Sequence, residues 1–122
     1  GSAFISAYRK HDEDGHFEIK MEYLSCPDLE GKTLILCDPM LATGSSMKVC
    51  YQGLLEYGRP AHTHIVSVIA AQEGVDYVQE NLSSSGCTLW VGSVDEELTA
   101  QSYIVPGLGD AGDLAYGKKL QE

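Results

Sequence analysis

Apolar residues fall into short, dense blocks along this chain, and the blocks change period from one to the next. Ala3 to Tyr8 is brief and apolar and runs into Arg9-Lys10, which reads as a strand entering a loop. From Phe17 to Leu24, Phe17, Ile19, Met21 and Tyr23 alternate with Glu18, Lys20, Glu22 and Leu24, the pattern of a half-buried strand. Polar residues and an Asp14-Gly15 turn signal separate the two, so 3–8 and 17–24 are expected to pair as a hairpin with a mobile loop over residues 9–16. Thr33-Leu34-Ile35-Leu36-Cys37 follows a turn at 28–32 and reads as a buried strand. A helix is expected over about 45–57, ended by Gly58 with Pro60 beyond it. His64 to Ala71 is a continuous β-rich apolar run, as in a buried parallel strand. A short helix at 74–81, a loop at 83–86 and a strand at 88–93 follow. Strands alternating with helices predict an α/β fold with a parallel sheet, right-handed crossovers and ligand sites beyond the strand carboxyl ends.

At 122 residues the chain suits one domain with a core of its own. Its formal net charge of −10 argues against nonspecific nucleic-acid binding, which needs basic surface. A local nest of N–H groups can still hold an anionic substrate against distant, screened carboxylates. No apolar stretch approaches membrane-spanning length and no signal-peptide pattern is present. Gly1-Ser2 reads as a remnant of tag removal. The four cysteines, Cys26, Cys37, Cys50 and Cys87, form no Cys-x-x-Cys pair, which counts against zinc and thioredoxin-like chemistry. Cys37 and Cys50 sit in apolar patterns and are expected to be buried thiols in a cytoplasmic protein.

The most specific string is Asp38-Pro39-Met40-Leu41-Ala42-Thr43-Gly44-Ser45-Ser46. It places an acid at the end of a strand and Thr-Gly-Ser-Ser at the start of a helix. That layout suits a sugar phosphate: the carboxylate accepts from sugar hydroxyls, and unpaired helix N–H groups face the phosphate. Glycine lets the backbone approach the anion closely, and the hydroxyls add donors. The loop lacks a P-loop lysine and the glycine spacing of a dinucleotide fingerprint. On residue types alone, a capped turn between strand and helix remains the plain alternative.

The whole string resembles the phosphoribosyl-pyrophosphate (PRPP) loop of the uracil phosphoribosyltransferase family, in which Asp-Pro-Met-Leu-Ala-Thr-Gly is a hallmark. Pro39, where most other phosphoribosyltransferases carry a second acid, points to the uracil branch. A second segment, Tyr103-Ile104-Val105-Pro106-Gly107-Leu108-Gly109-Asp110-Ala111-Gly112-Asp113, is similar to that family's uracil-binding segment. By itself it is a poor helix or strand, rich in glycine, whose exposed backbone groups suit a planar base. The resemblance spans nearly the whole chain.

It implies a type I phosphoribosyltransferase arrangement, a twisted parallel sheet flanked by helices with a small C-terminal hood. The implied reaction is uracil plus PRPP giving UMP and pyrophosphate, with Mg2+ neutralising the pyrophosphate. By resemblance, Arg9 contacts the PRPP phosphates, Ala42, Thr43, Gly44, Ser45 and Ser46 hold the 5′-phosphate, and Asp38 holds the ribose hydroxyls. Pro39, Met40 and Leu41 complete the PRPP segment. Ile104, Gly109, Asp110 and Ala111 read the uracil edge, with Asp110 also close to PRPP, so that Asp38 and Asp110 are the candidate catalytic residues. A homo-oligomer is expected, with no nucleic-acid or membrane partner. The chain departs from the family at Leu114, where an arginine is common, and more mildly at Tyr116, where phenylalanine is common.

Family members are usually not far from twice as long, and this chain starts about midway along their pattern. It is therefore expected to be a fragment, or to work with a companion chain, and to be inactive alone with an exposed sheet edge. A PRPP-binding regulatory module and a non-catalytic assembly fragment are the rival readings. Asp12-Glu13-Asp14 has incomplete calcium-loop spacing. His62 and His64 read as a strand-edge pair without a third metal ligand, Asp95-Glu96-Glu97 as a solvated turn, and Trp90 as partly buried packing.

Overall fold

The computed structural model describes residues 1–11, 13, 17–82 and 86–118, with the side chains of Arg9, His11 and Phe17 outside that description. Two strands, β1 (Phe4–His11) and β2 (Phe17–Ser25), pair antiparallel as the alternation predicts, with an irregularity between Ser6 and Ala7. The strand β1 runs through Arg9, Lys10 and His11, because these pair with Ile19, Glu18 and Phe17. Residues 9–11 of the expected loop therefore belong to β1, and positions 12 and 14–16 lie outside the described residues.

A parallel sheet follows: β3 (Thr33–Leu41), β4 (His62–Ala71) and β5 (Cys87–Asp95), in the order β3-β4-β5. The helix α1 (Ser45–Leu54), extended by a 3-10 turn at Leu55–Tyr57, connects β3 to β4. The helix α2 (Gln72–Leu82) connects β4 to β5, and the two helices pack against each other. Even-numbered residues of β3 and odd-numbered residues of β4 face these helices. Leu34 and Ile65 join Met47, Leu54, Val78 and Leu82 there in one core. Tyr51 is buried among them, and its hydroxyl is paired with Thr63 and Cys87. Ile5 and Leu24 of the hairpin close the outer side of that core.

Among the described residues the sheet's other face is left largely open. Ile35, Val68 and Trp90 are 63%, 61% and 56% exposed, and Cys37 is exposed as well. The expectations of a buried Cys37, a partly buried Trp90 and a strand 64–71 buried on both sides are corrected on this point. The apolar run fits a doubly covered strand, but the helices of the described residues cover one face. His62 and His64 share the bare face at the start of the central strand, rather than on an edge strand, with ring centroids 4.7 Å apart. His62 Nε2 lies 2.7 Å from Thr88 Oγ1, and Trp90 Nε1–H donates to His64 Nδ1 at 3.1 Å. These polar cross-strand pairs hold β4 to β5 by side chains as well as by the ladder.

Beyond β5 the chain forms a two-residue ladder between β6 (Glu97–Leu98) and β7 (Ile104–Val105), then α3 (Ala111–Tyr116). The segment 103–113, expected to be irregular, thus contains one strand of that ladder and the start of a helix. Ile104 is 2% exposed and β7 lies against β4, which anchors this hood to the sheet.

Candidate functional site

Register places the carboxyl ends of the parallel strands side by side. Leu41 is level with Ala70, and Ala70 with Val94, while Ala71 is level with Asp95. The turn from β3 into α1 therefore opens at the same end of the sheet as the hood.

The PRPP-like segment 38–46 divides differently from the expected loop. Met40 and Leu41 pair with Ile69 and Ala70, so β3 continues to Leu41 and the turn itself is residues 42–44. Pro39 has no partner in that register. A residue without an N–H is tolerated there because β3 is an edge strand. Leu41 sends its side chain into the core at 2% exposure.

Asp38 is half-buried, and its Oδ1 accepts from the Met40 N–H at 3.0 Å. Burial pushes its carboxyl above the ordinary range, with the Met40 N–H pulling the other way. Cys50 of α1 sits near this carboxylate, and its thiol is raised by burial and then by the charge of Asp38.

Gly44 is the N-cap of α1 at φ 87, a left-handed conformation that a side chain would strain. Gly44 has no side chain to cap the helix and no acidic residue stands in its first turn, so its positive end has no carboxylate partner within that turn. Thr43 Oγ1 lies 2.8 Å from Ser45 Oγ and accepts from the Ser45 N–H at 3.3 Å, which folds both hydroxyls into the turn.

Sequence reasoning missed what braces this turn. Gly74 of α2 lies so close that a Cβ there would stand 2.5 Å from the Ala42 carbonyl oxygen and 2.9 Å from that of Leu41. A Cβ on Gly44 would meet the Tyr77 ring at 2.8 Å. Lys48 Nζ lies 5.9 Å from the centre of the same ring and donates to Asn81 Oδ1 at 3.2 Å, which puts a cation on the helix that starts at the turn.

Asp95 was also missed, having been read with Glu96 and Glu97 as a solvated turn. It ends β5, and its Oδ2 accepts from the Gly107 N–H at 3.0 Å, tying the hood to the sheet. The signal was the one that singled out Asp38: an acid at a strand's carboxyl end.

In the hood, Gly109 has φ 78, and Asp110 is the N-cap of α3, accepting from the Asp113 N–H at 2.9 Å. Ala111 opens that helix, and Ile104 pairs with Leu98 in the short ladder. Leu114, at the position where the family commonly has arginine, is 70% exposed on α3. Arg9 falls in β1, and its side chain lies outside the described residues. Among the described residues no three His, Cys, Asp or Glu side chains gather closely enough to hold a metal ion. No helix of the described residues is long and apolar enough to cross a membrane.

Residues 4–118 match the family model for uracil phosphoribosyltransferase. A uracil phosphoribosyltransferase of Porphyromonas gingivalis is 52% identical over 119 residues, covering 98% of this chain and 55% of that protein. The uracil phosphoribosyltransferase of Methanothermobacter thermautotrophicus is 40% identical over 114 residues, covering 93% of this chain and 51% of its own length. The solved structure of the AQ2163 protein from Aquifex aeolicus superposes with a TM-score of 0.84 at 35% identity, over 98% of this chain and 54% of that one. The chain belongs to the uracil phosphoribosyltransferase family, and it spans about half the length of the curated relatives it matches.

Proposed function

We propose that this member of the uracil phosphoribosyltransferase family binds PRPP and uracil at the sheet's carboxyl end, as part of a protein that makes UMP and pyrophosphate in pyrimidine salvage. The observation that carries the reading is the β3–α1 turn: a helix N-terminus with no acid in its first turn, capped by Gly44 and edged by Thr43 and Ser45 hydroxyls. Ala42 to Ser46 would take the 5′-phosphate and Asp38 the ribose hydroxyls, with Pro39, Met40 and Leu41 shaping the approach. Arg9 would contact the PRPP phosphates. Backbone groups of Ile104, Gly109 and Ala111 would read uracil's alternating N–H and C=O edge, with Asp110 between base and sugar. Cytosine presents an amino donor where uracil presents an acceptor, so it leaves buried groups unpaired.

In the reaction a uracil nitrogen forms a bond to the anomeric carbon as the carbon–oxygen bond to pyrophosphate breaks, and the base gives up its N–H proton. Positive charge develops on the ribose ring, so placement and electrostatics do most of the work. Asp38 and Asp110 are the carboxylates assigned to that centre. The described side chains build no metal cage. Mg2+ would bind through pyrophosphate oxygens and water, as this ion commonly does with phosphate substrates, and would neutralise the charge of the leaving group. A cytoplasmic homo-oligomer completes the reading, supported by the exposed Phe4 and Tyr23 rings of the hairpin, 6.2 Å apart.

Calorimetry with ribose 5-phosphate tests the turn directly. Thr43→Ala should weaken binding by about 1–2 kcal/mol, the cost of one lost hydroxyl–anion bond. Equal affinity in the two proteins would sink the assignment.

A further inference from the structure

Two histidines on the open face of the sheet take no part in the candidate site. His62 and His64 are both half-buried on β4, and each reaches one side chain of β5. The two contacts differ in what a proton does to them. His62 Nε2 lies 2.7 Å from the Thr88 hydroxyl, which can either donate or accept. That contact therefore survives whether His62 is neutral or charged. Trp90 Nε1–H can only donate, so its 3.1 Å bond to His64 Nδ1 requires an unprotonated nitrogen there. Neutral His64 must then carry its single proton on Nε2. A second proton would go to Nδ1 and set one N–H against another.

On this face β3 presents Thr33, Ile35 and Cys37, and β5 presents Thr88, Trp90 and Val94. None of these is a carboxylate, and the Cys37 thiol is level with Val66 rather than with His64. Lys32 lines the cleft at the outer edge of β3, and Arg59 acts on the Tyr51 hydroxyl, which is buried on the helix side. The other titratable ring is His62, 4.7 Å away, and a charge there would repel one on His64. We propose that His64 and Trp90 form a proton-released clasp between β4 and β5. With His64 neutral the clasp is closed, and these side chains present an uncharged surface. A proton gained in the range where histidines titrate opens it, frees the indole and makes the face cationic. Side chains of β4 and β5 are then joined here through the His62–Thr88 contact, with the ladder beneath. The open face thus has two states that differ in both charge and the hold on its largest ring.

The test follows the indole N–H by proton–nitrogen NMR of the 122-residue chain, whose one tryptophan gives one indole resonance. Spectra are recorded from about pH 8 to about pH 5, across the histidine range. The resonance should move in one step, and the indole N–H should exchange with water about tenfold faster at the acid end. The Cε1–H resonance of the His64 ring should titrate with the same midpoint. Glutamine accepts through its amide oxygen and gains no proton in this range, so His64→Gln should hold the indole resonance still. His62→Gln should leave the transition in place. An indole resonance that stays fixed in the parent would overturn the proposal, as would a transition that survives His64→Gln or vanishes in His62→Gln. If His64→Gln does not fold, unequal midpoints for the indole and the His64 ring would overturn it instead. Loss of the Ile65 and Ala70 amide resonances together with the transition would overturn it as well, because the core would then be unfolding in acid.

Discussion

Between β3 and α1 the chain turns within residues 42–44, and packing meets that turn from several sides. Leu41 enters the core, Gly74 lies against the carbonyls of Leu41 and Ala42, and Tyr77 closes over Gly44. Residues 95–117 sit at the same end of the sheet with far less behind them. A short ladder, the Asp95 carboxylate and the Asp110 cap hold them, with Ile104 as their buried anchor. Tyr116 at their far end is 91% exposed. Packing sets the turn without a ligand, so binding an anion there would cost little ordering. The hood has few buried contacts and belongs to the part of a fold that opens locally at low cost. One end of the sheet thus combines a closely braced turn with a lightly held hood.

Gly74→Ala attacks the fixed partner of this comparison and should have the largest effect. Its Cβ would collide with backbone rather than with a side chain that could swing away. A loss of about 1–3 kcal/mol in urea denaturation is expected from overpacking, with weaker binding of ribose 5-phosphate. An unchanged midpoint would mean that the cradle yields as readily as the hood.

Asp95→Ala tests the movable partner. Removing one hydrogen bond should cost about 1 kcal/mol, and the loss should stay local. Amide exchange at Ile104 to Gly107 should quicken while the urea midpoint and ribose 5-phosphate affinity hardly move. A midpoint that falls as far as it does for Gly74→Ala would erase the distinction between the two regions.

Asp38→Asn sharpens the comparison with the smallest shift. Burial raises the carboxyl's pKa in the folded chain, so the folded state holds that proton more firmly than the unfolded one. Stability is therefore lost as pH rises from the unfolded value of about 3.9 through the raised folded value. Asparagine keeps an oxygen for the Met40 N–H and has no charge to desolvate. The variant should melt slightly higher than the parent at neutral pH, and the gap should close below about pH 4. A gap that persists in acid would point to packing rather than charge.

Much of this architecture was legible because parallel strands and amphipathic helices write different periods. The hairpin, the three parallel strands and both connecting helices follow from those periods, and Asp38 and Gly44 from their place between strand and helix. The end of β3 was not legible. Pro39 reads as a breaker, and only the knowledge that β3 is an edge strand makes it harmless. Exposure of Cys37 and Trp90 was hidden for a related reason: alternation tells which residues share a face, not whether anything covers that face. Asp95, Gly74 and Tyr77 act through contacts distant in sequence, and nothing local to them announces a partner. The short helix at Ala111 hides in a glycine-rich string because the Asp110 cap, rather than residue propensity, starts it.

The indole of Trp90 lies on the bare side of the sheet and donates its N–H to His64. It is the chain's single tryptophan. Its emission is therefore an optical gauge of one surface, undiluted by any other indole. With water against the ring the spectrum should sit toward the red, and any polypeptide laid over that face should pull it toward the blue. Assembly on this side of the sheet can thus be followed in a cuvette without attaching a label.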